Sequence, residues 1–165
     1  MIVLAFAVIF VPMIAETIVS ARHDRALRAR GAVEPQGDVY RLMQLAYPGA
    51  FLVLLAEGAL RGVGWDAVTV TGAAIFAGAK ALKYWAIASL GERWTFRVLV
   101  PPGSTPTRRG PYRWVDHPNY VAVVGELTGT AIAMHAAVSG LPVIGGFIFL
   151  MWRRVAIEEK ALARR

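Results

Sequence analysis

The segment Gly110-Pro111-Tyr112-Arg113-Trp114-Val115-Asp116-His117-Pro118-Asn119-Tyr120 gathers an imidazole, two phenols and two prolines in a short polar stretch. His117 offers an imidazole that can serve as a base, and beside Pro118 at a helix start it equally suits a hydrogen bond to a cofactor or to loop backbone. A second cluster, Arg153-Arg154-Val155-Ala156-Ile157-Glu158-Glu159, puts Arg154 and Glu158 at i, i+4 on one helix face. At a reacting centre such a pair can orient an anionic oxygen through the guanidinium and accept a proton at the carboxylate. Alone, it is an ordinary helix-end ion pair worth ~0–1 kcal/mol. The chain has no cysteine, which excludes a thiolate nucleophile and a Cys-ligated zinc.

The elements that must hold these clusters are apolar. Of 165 residues 56% are hydrophobic and 18% charged, an odd balance for a soluble domain. Runs approaching the ~20 residues that cross a bilayer as a helix occur at Met1–Ser20, about Leu42–Leu60, Ala67–Leu90 and Tyr120–Val138, with a shorter fifth at Leu141–Trp152. Only Ser139-Gly140 separates the last two, which predicts a tight hairpin. The fold class expected is all-α: one polytopic membrane domain over residues 1–165 with about five transmembrane helices and no internal repeat.

The net charge of +7 is explained by where it lies. Five arginines follow the first run (Arg22, Arg25, Arg28, Arg30, Arg41), five lie between the third and fourth, and five basic residues follow the fifth, against Arg61 alone in the opposing loops. Basic loops stay cytoplasmic, so the N-terminus is expected outside and the C-terminus inside, with no need of nucleic acid as a partner. Val19-Ser20-Ala21 is of the cleavage-site type, but the basic cluster follows the apolar run instead of preceding it, and the segment reads as an uncleaved span. The 91–119 loop exceeds the ~12–15 residues of ordinary connections and is rich in aromatics, which favours function over disorder. The plain alternative is an interfacial segment anchored by Trp94, Tyr112 and Trp114.

Charges within the spans are costly in lipid. Glu16 and Glu57 lie near helix ends and are expected to reach water. Glu126, about two turns into the fourth span, lies at the depth of Lys80 and Lys83 in the third, so a buried ion pair or hydrogen bond beside a cavity is expected.

The pattern Gly110-Pro111-Tyr112, His117-Pro118-Asn119-Tyr120, an apolar hairpin, then Arg154 with Glu158-Glu159 and Leu162 resembles the isoprenylcysteine carboxyl methyltransferase family of integral membrane enzymes, most closely from Gly91 to Leu162. Arg30-Gly31-Ala32-Val33-Glu34 is similar to a short bacterial branch associated with methylation of alkylpyrones and alkylresorcinols. The resemblance implies a methyltransferase using S-adenosylmethionine, with the cofactor-binding and catalytic region at 91–165. Pro111, Tyr112, His117, Tyr120 and Glu159 would shape the cofactor pocket, and Arg154 and Glu158 would sit beside the transferred methyl. The family usually has Arg before His-Pro, where this chain has Asp116. The expected substrate is a lipid-tailed oxygen acceptor, carboxylate or phenol/enol, methylated at the cytosolic face of a bacterial inner membrane without a metal. The alternatives are methylation of a phospholipid amine and a non-catalytic binding or transport subunit.

Overall fold

A computed structural model describes residues 1–34, 39–99, 102 and 107–163, with side chains to Ile157. Five α-helices follow one another: α1 (Ile2–Ala29), α2 (Tyr40–Leu60), α3 (Ala67–Leu90), α4 (Pro118–Ala133) and α5 (Gly140–Ala163), with short 3-10 turns at Gly91–Arg93 and Gly110–Arg113. No strand occurs among the described residues. α1, α2 and the 140–157 part of α5 are long and apolar enough to cross a membrane. α3 has the length, but Lys80 and Lys83 interrupt its apolar run. α4, at 16 residues, is shorter than a full crossing helix.

The helix ends differ from the apolar runs for identifiable reasons. α1 continues through the basic residues to Ala29 and closes at Gly31, which takes φ 80° while Ala32 N–H donates to Leu27 O. α2 closes the same way at Gly62 (φ 64°), with Val63 N–H on Gly58 O. These are left-handed C-terminal closures that glycine adopts at no steric cost. α4 repeats the device without glycine: His135 takes φ 48° and Ala136 N–H donates to Ala131 O, so the helix stops at Ala133 and not near Val138. The link to α5 therefore runs from Met134 to Ser139 and is not the tight Ser139-Gly140 turn expected. Glu57, expected to reach water, reaches across from α2 to the start of α5, accepting hydrogen bonds from Val138 N–H, Ser139 N–H and Ser139 Oγ while paired with Arg61.

α3 and α4 are the most closely packed pair. A Cβ on Gly129 would lie 2.5 Å from Phe76 N, and one on Gly72 would lie 2.2 Å from Ala133 N. Gly125, one turn before Gly129, faces Ala79. Small residues at four-residue spacing let helix backbones approach where lipid offers no hydrophobic drive to associate.

Charges bind the other helices to this pair. Glu16 of α1 is 4% exposed and pairs with Lys83 (2.6 Å) and Lys80 (3.2 Å) of α3; Glu126 of α4 pairs with Lys80 (3.0 Å) and Lys83 (3.6 Å). Tyr47 of α2 donates to Glu126 and accepts from Lys83 Nζ at 3.1 Å. The Glu126–lysine contact expected from depth is present. Glu16 does not reach water, because the helix face that carries it is turned inward onto α3.

Gly129→Val should lower stability by about 1–3 kcal/mol, since backbone atoms stand where the side chain must go, whereas Gly145→Val, which meets open space, should leave it unchanged. Thermal unfolding in detergent measures both. Glu16→Leu should cost about 3–5 kcal/mol by leaving a buried ammonium uncompensated, and adding Lys83→Met should recover part of that loss in the same assay.

Candidate functional site

At the end of the bundle that carries the long loop, a cavity of about 580 Å³ opens between the five helices and the segment 93–99. Its apolar side comes from Met13 of α1, Met43 and Pro48 of α2, and Phe147 and Met151 of α5. Its polar side comes from His117, Asn119 and Tyr120 around the start of α4, Tyr112 before it, and Arg154 on α5. Thr17, Gln44 and Tyr47 add uncharged hydrogen-bonding groups to the apolar side.

Local sequence explains how the polar side is set. Gly110 takes φ 55° and lies so close to α3 that a Cβ would fall 1.9 Å from Ser89 Oγ, so only glycine turns the chain there. Pro111 follows as a buried residue of the 3-10 turn, and Trp114 packs on Trp85 at 5.7 Å between centroids. Pro118 opens α4, where its missing N–H is not needed. This puts His117 just before the helix and Tyr120 on its first turn, their rings stacked at 5.3 Å and 20°.

The segment 94–98 forms one wall and is fastened from three sides. His23 Nδ1 meets Trp94 O at 2.8 Å, and Phe96 N–H donates to Ser20 Oγ at 2.8 Å, both from the loop end of α1. Arg154 donates to Phe96 O. Arg97 pairs with Glu34 (2.8 Å) and Asp24 (3.3 Å) and lies over the Tyr40 ring. Burial alone would raise the Glu34 carboxyl, but the hydrogen bonds and charges of Arg28 and Arg97 outweigh it and hold the group below the usual carboxylate range. Trp94 is 3% exposed and meets Phe96 edge-on, so it is part of this wall and not an interfacial anchor; Trp114 is 70% exposed.

Of the residues singled out in the sequence, Tyr112, His117, Tyr120, Arg154 and Lys83 line the cavity together. Pro111 shapes the turn without lining it, and Lys80 and Glu126 stand behind Lys83 and Tyr47. Glu158 and Glu159 lie on the α5 backbone, with side chains outside the described residues. Arg154 is buried, contacts Met43 Sδ at 3.6 Å, and keeps its Nε without a hydrogen-bond partner. Asn119 Oδ1 is likewise buried and unpaired. Asp116, at the position where the family usually has Arg, also lines the cavity. Sequence reasoning missed Asn119, Tyr47 and the 94–98 wall. A lone acid in an apolar run was a signal for Glu16, but nothing in the sequence told which face Tyr47 would take.

The model of the isoprenylcysteine carboxyl methyltransferase (ICMT) family matches residues 70–164, from α3 to the end of α5. An uncharacterized protein of Bacillus subtilis, YpbQ, is 30% identical over 159 residues, spanning 96% of this chain and 95% of its own. An uncharacterized protein of Haemophilus influenzae is 27% identical over 149 residues, or 88% and 85%. No solved structure matches. The family match takes in more than half of the chain and every residue of the cavity's polar side around α4 and on α5. The chain belongs to the isoprenylcysteine carboxyl methyltransferase family, a family of membrane-associated methyltransferases.

Proposed function

We propose that the protein transfers a methyl group from S-adenosylmethionine to an oxygen of a lipophilic acceptor, with the cavity open to the cytosol. The observation that carries this is the division of the cavity: a polar side drawn from the family-matched segment meets an apolar side to which α1 and α2, outside that segment, contribute together with α5. A polar donor and an apolar acceptor need two such sides meeting at one place.

The residues present fit the donor. The two buried unpaired atoms are complementary to it: Asn119 Oδ1 is an acceptor for a nucleoside hydroxyl or amine, and Arg154 Nε–H is a donor for an anionic oxygen. The stacked His117 and Tyr120 rings offer aromatic surface to a purine or a sulfonium. When bound, S-adenosylmethionine supplies an electrophilic methyl on positively charged sulfur. The chain's part is then positioning and charge placement: Arg154 directs the acceptor oxygen, and the Trp94–Phe96 wall excludes water. Arg154 combines two duties, since the same guanidinium that faces the cavity holds Phe96 O in place.

The basic loops support an orientation with this end of the bundle in the cytosol and the Arg61–His135 end outside. The three apolar helices and the family support placement in a membrane.

His117→Ala and Tyr120→Ala should weaken binding of S-adenosylmethionine at least ~10-fold by calorimetry without changing thermal stability by more than a few degrees; loss of stability with unchanged binding refutes a donor role. Arg154→Ala and Glu158→Ala should lower single-turnover methyl transfer at saturating donor ~100-fold, against the nearly unchanged turnover of a solvated ion pair. Cysteine at Thr107 should be shielded from an impermeant thiol reagent in intact cells, and cysteine at Val138 should react; the opposite result reverses the orientation.

A further inference from the structure

The mechanism so far leaves unused one polar group on the cavity side, the Tyr47 hydroxyl. Tyr47 and Lys83 both line the cavity. The Tyr47 hydroxyl donates to Glu126, whose side chain is fully buried, and accepts from Lys83 Nζ at 3.1 Å. Tyr47 shares a helix face with Met43, one turn away, and Met43 Sδ touches Arg154 at 3.6 Å. The hydroxyl thus links the space beside Arg154 to a buried carboxylate.

The other groups around it balance the charge of that carboxylate. Glu16 and Glu126 face Lys80 and Lys83, so the four charges sum to zero, and Tyr84 is set against Lys80 at 5.9 Å. Glu126 lies between two ammonium groups that balance its charge, and its Oε2 is the atom that accepts from the Tyr47 hydroxyl. The hydroxyl oxygen has a second lone pair for an incoming donor.

We propose that Tyr47 and Glu126 form a proton relay that deprotonates the acceptor, so that the acceptor is a neutral phenol-type hydroxyl and not a carboxylate. The proposal rests on the methyltransferase reading. As the acceptor O–H bond breaks, its proton moves to Tyr47 Oη, and the proton Tyr47 held moves to Glu126 Oε2. The electron pair left on the acceptor oxygen forms the new C–O bond while the methyl–sulfur bond breaks, and that pair stays on sulfur and cancels its positive charge. Lys83, beside Tyr47, stabilises negative charge on the oxygen as it develops. When the ether product leaves, the proton returns through Tyr47 to water in the cavity. A carboxylate acceptor, ionised at neutral pH, has no use for this relay.

The test is Tyr47→Phe, which keeps the ring packing on Phe51 and Phe147 and removes the hydroxyl. Single-turnover transfer at saturating donor is measured for 5-pentylresorcinol, neutral at pH 7, and for a pentyl-tailed dinitrophenol, ionised at pH 7. The variant should be about 100-fold slower than the parent on the first and within about threefold on the second. Glu126→Gln should show the same split; if it does not fold, Tyr47→Phe still decides. A donor-free measurement accompanies these: the ultraviolet spectrum of bound pentylresorcinol should show phenolate at lower pH with the parent protein than with Tyr47→Phe. Equal slowing on both acceptors, no slowing on either, or identical phenolate titrations overturns the relay. If the parent methylates only acceptors ionised at pH 7, the relay falls and the methyltransferase reading stands. If the parent binds no S-adenosylmethionine and methylates neither acceptor, that reading falls and the relay falls with it.

Discussion

Four charges among apolar helices, three of them buried and Lys80 partly so, set the arrangement of this protein. Glu16, Lys80, Lys83 and Glu126 come from α1, α3 and α4, and the Tyr47 hydroxyl adds α2. Each charge alone in hydrocarbon would cost several kcal/mol, so the helices can be inserted in any rotation but are stable only in those that bring the four together. Pairing of this kind contributes less through its own strength than through the penalty on every arrangement that breaks it. Lys80 and Lys83, at i, i+3, present both ammonium groups on one side of α3, and the carboxylates arrive from the two helices flanking that side.

The close contact of α3 with α4 works alongside this constraint. Gly72 and Gly129 bring the two backbones together, which fixes the height of Glu126 against Lys80 and Lys83 and also the height of the α4 start against the end of α3. His117, Asn119 and Tyr120 therefore inherit their position from a packing interface buried well below them. At the other end of the bundle Glu57 performs a similar service for α5, holding Val138 and Ser139 so that the helix leaves in the direction that carries Arg154 to the Phe96 carbonyl.

The cavity then joins parts of different origin. The family-matched segment supplies His117, Asn119, Tyr120 and Arg154 with Phe147 and Met151, while α1 and α2, outside that segment, add Met13, Met43 and Pro48 to the apolar side, and α1 fastens the 94–98 wall through Ser20, His23 and Asp24. Met13, Met43 and Met151 make the apolar side adaptable, since unbranched thioethers repack around differing shapes. The bilayer-facing helices are thus part of the site's construction as well as its anchor.

The amino-acid sequence by itself determined the helical membrane character, the basic face, the family pattern from Gly110 to Leu162 and the pairing of Glu126 with the α3 lysines. These follow from run length, charge placement, motif spacing and depth along a helix, all of which are one-dimensional quantities. Tertiary structure decided the rest. Glu16 read as a group near a helix end able to reach water, because depth does not tell which way a helix is rotated, and rotation is what buried it; for the same reason nothing announced that Glu57 would bond Val138 and Ser139. The stop of α4 escaped sequence reasoning because His135 takes the left-handed conformation that glycine usually marks. The contact of Arg154 with the carbonyl of Phe96 was likewise out of reach, since no side-chain pattern can announce a backbone atom. Tyr47 became a candidate only when four helices met around its hydroxyl.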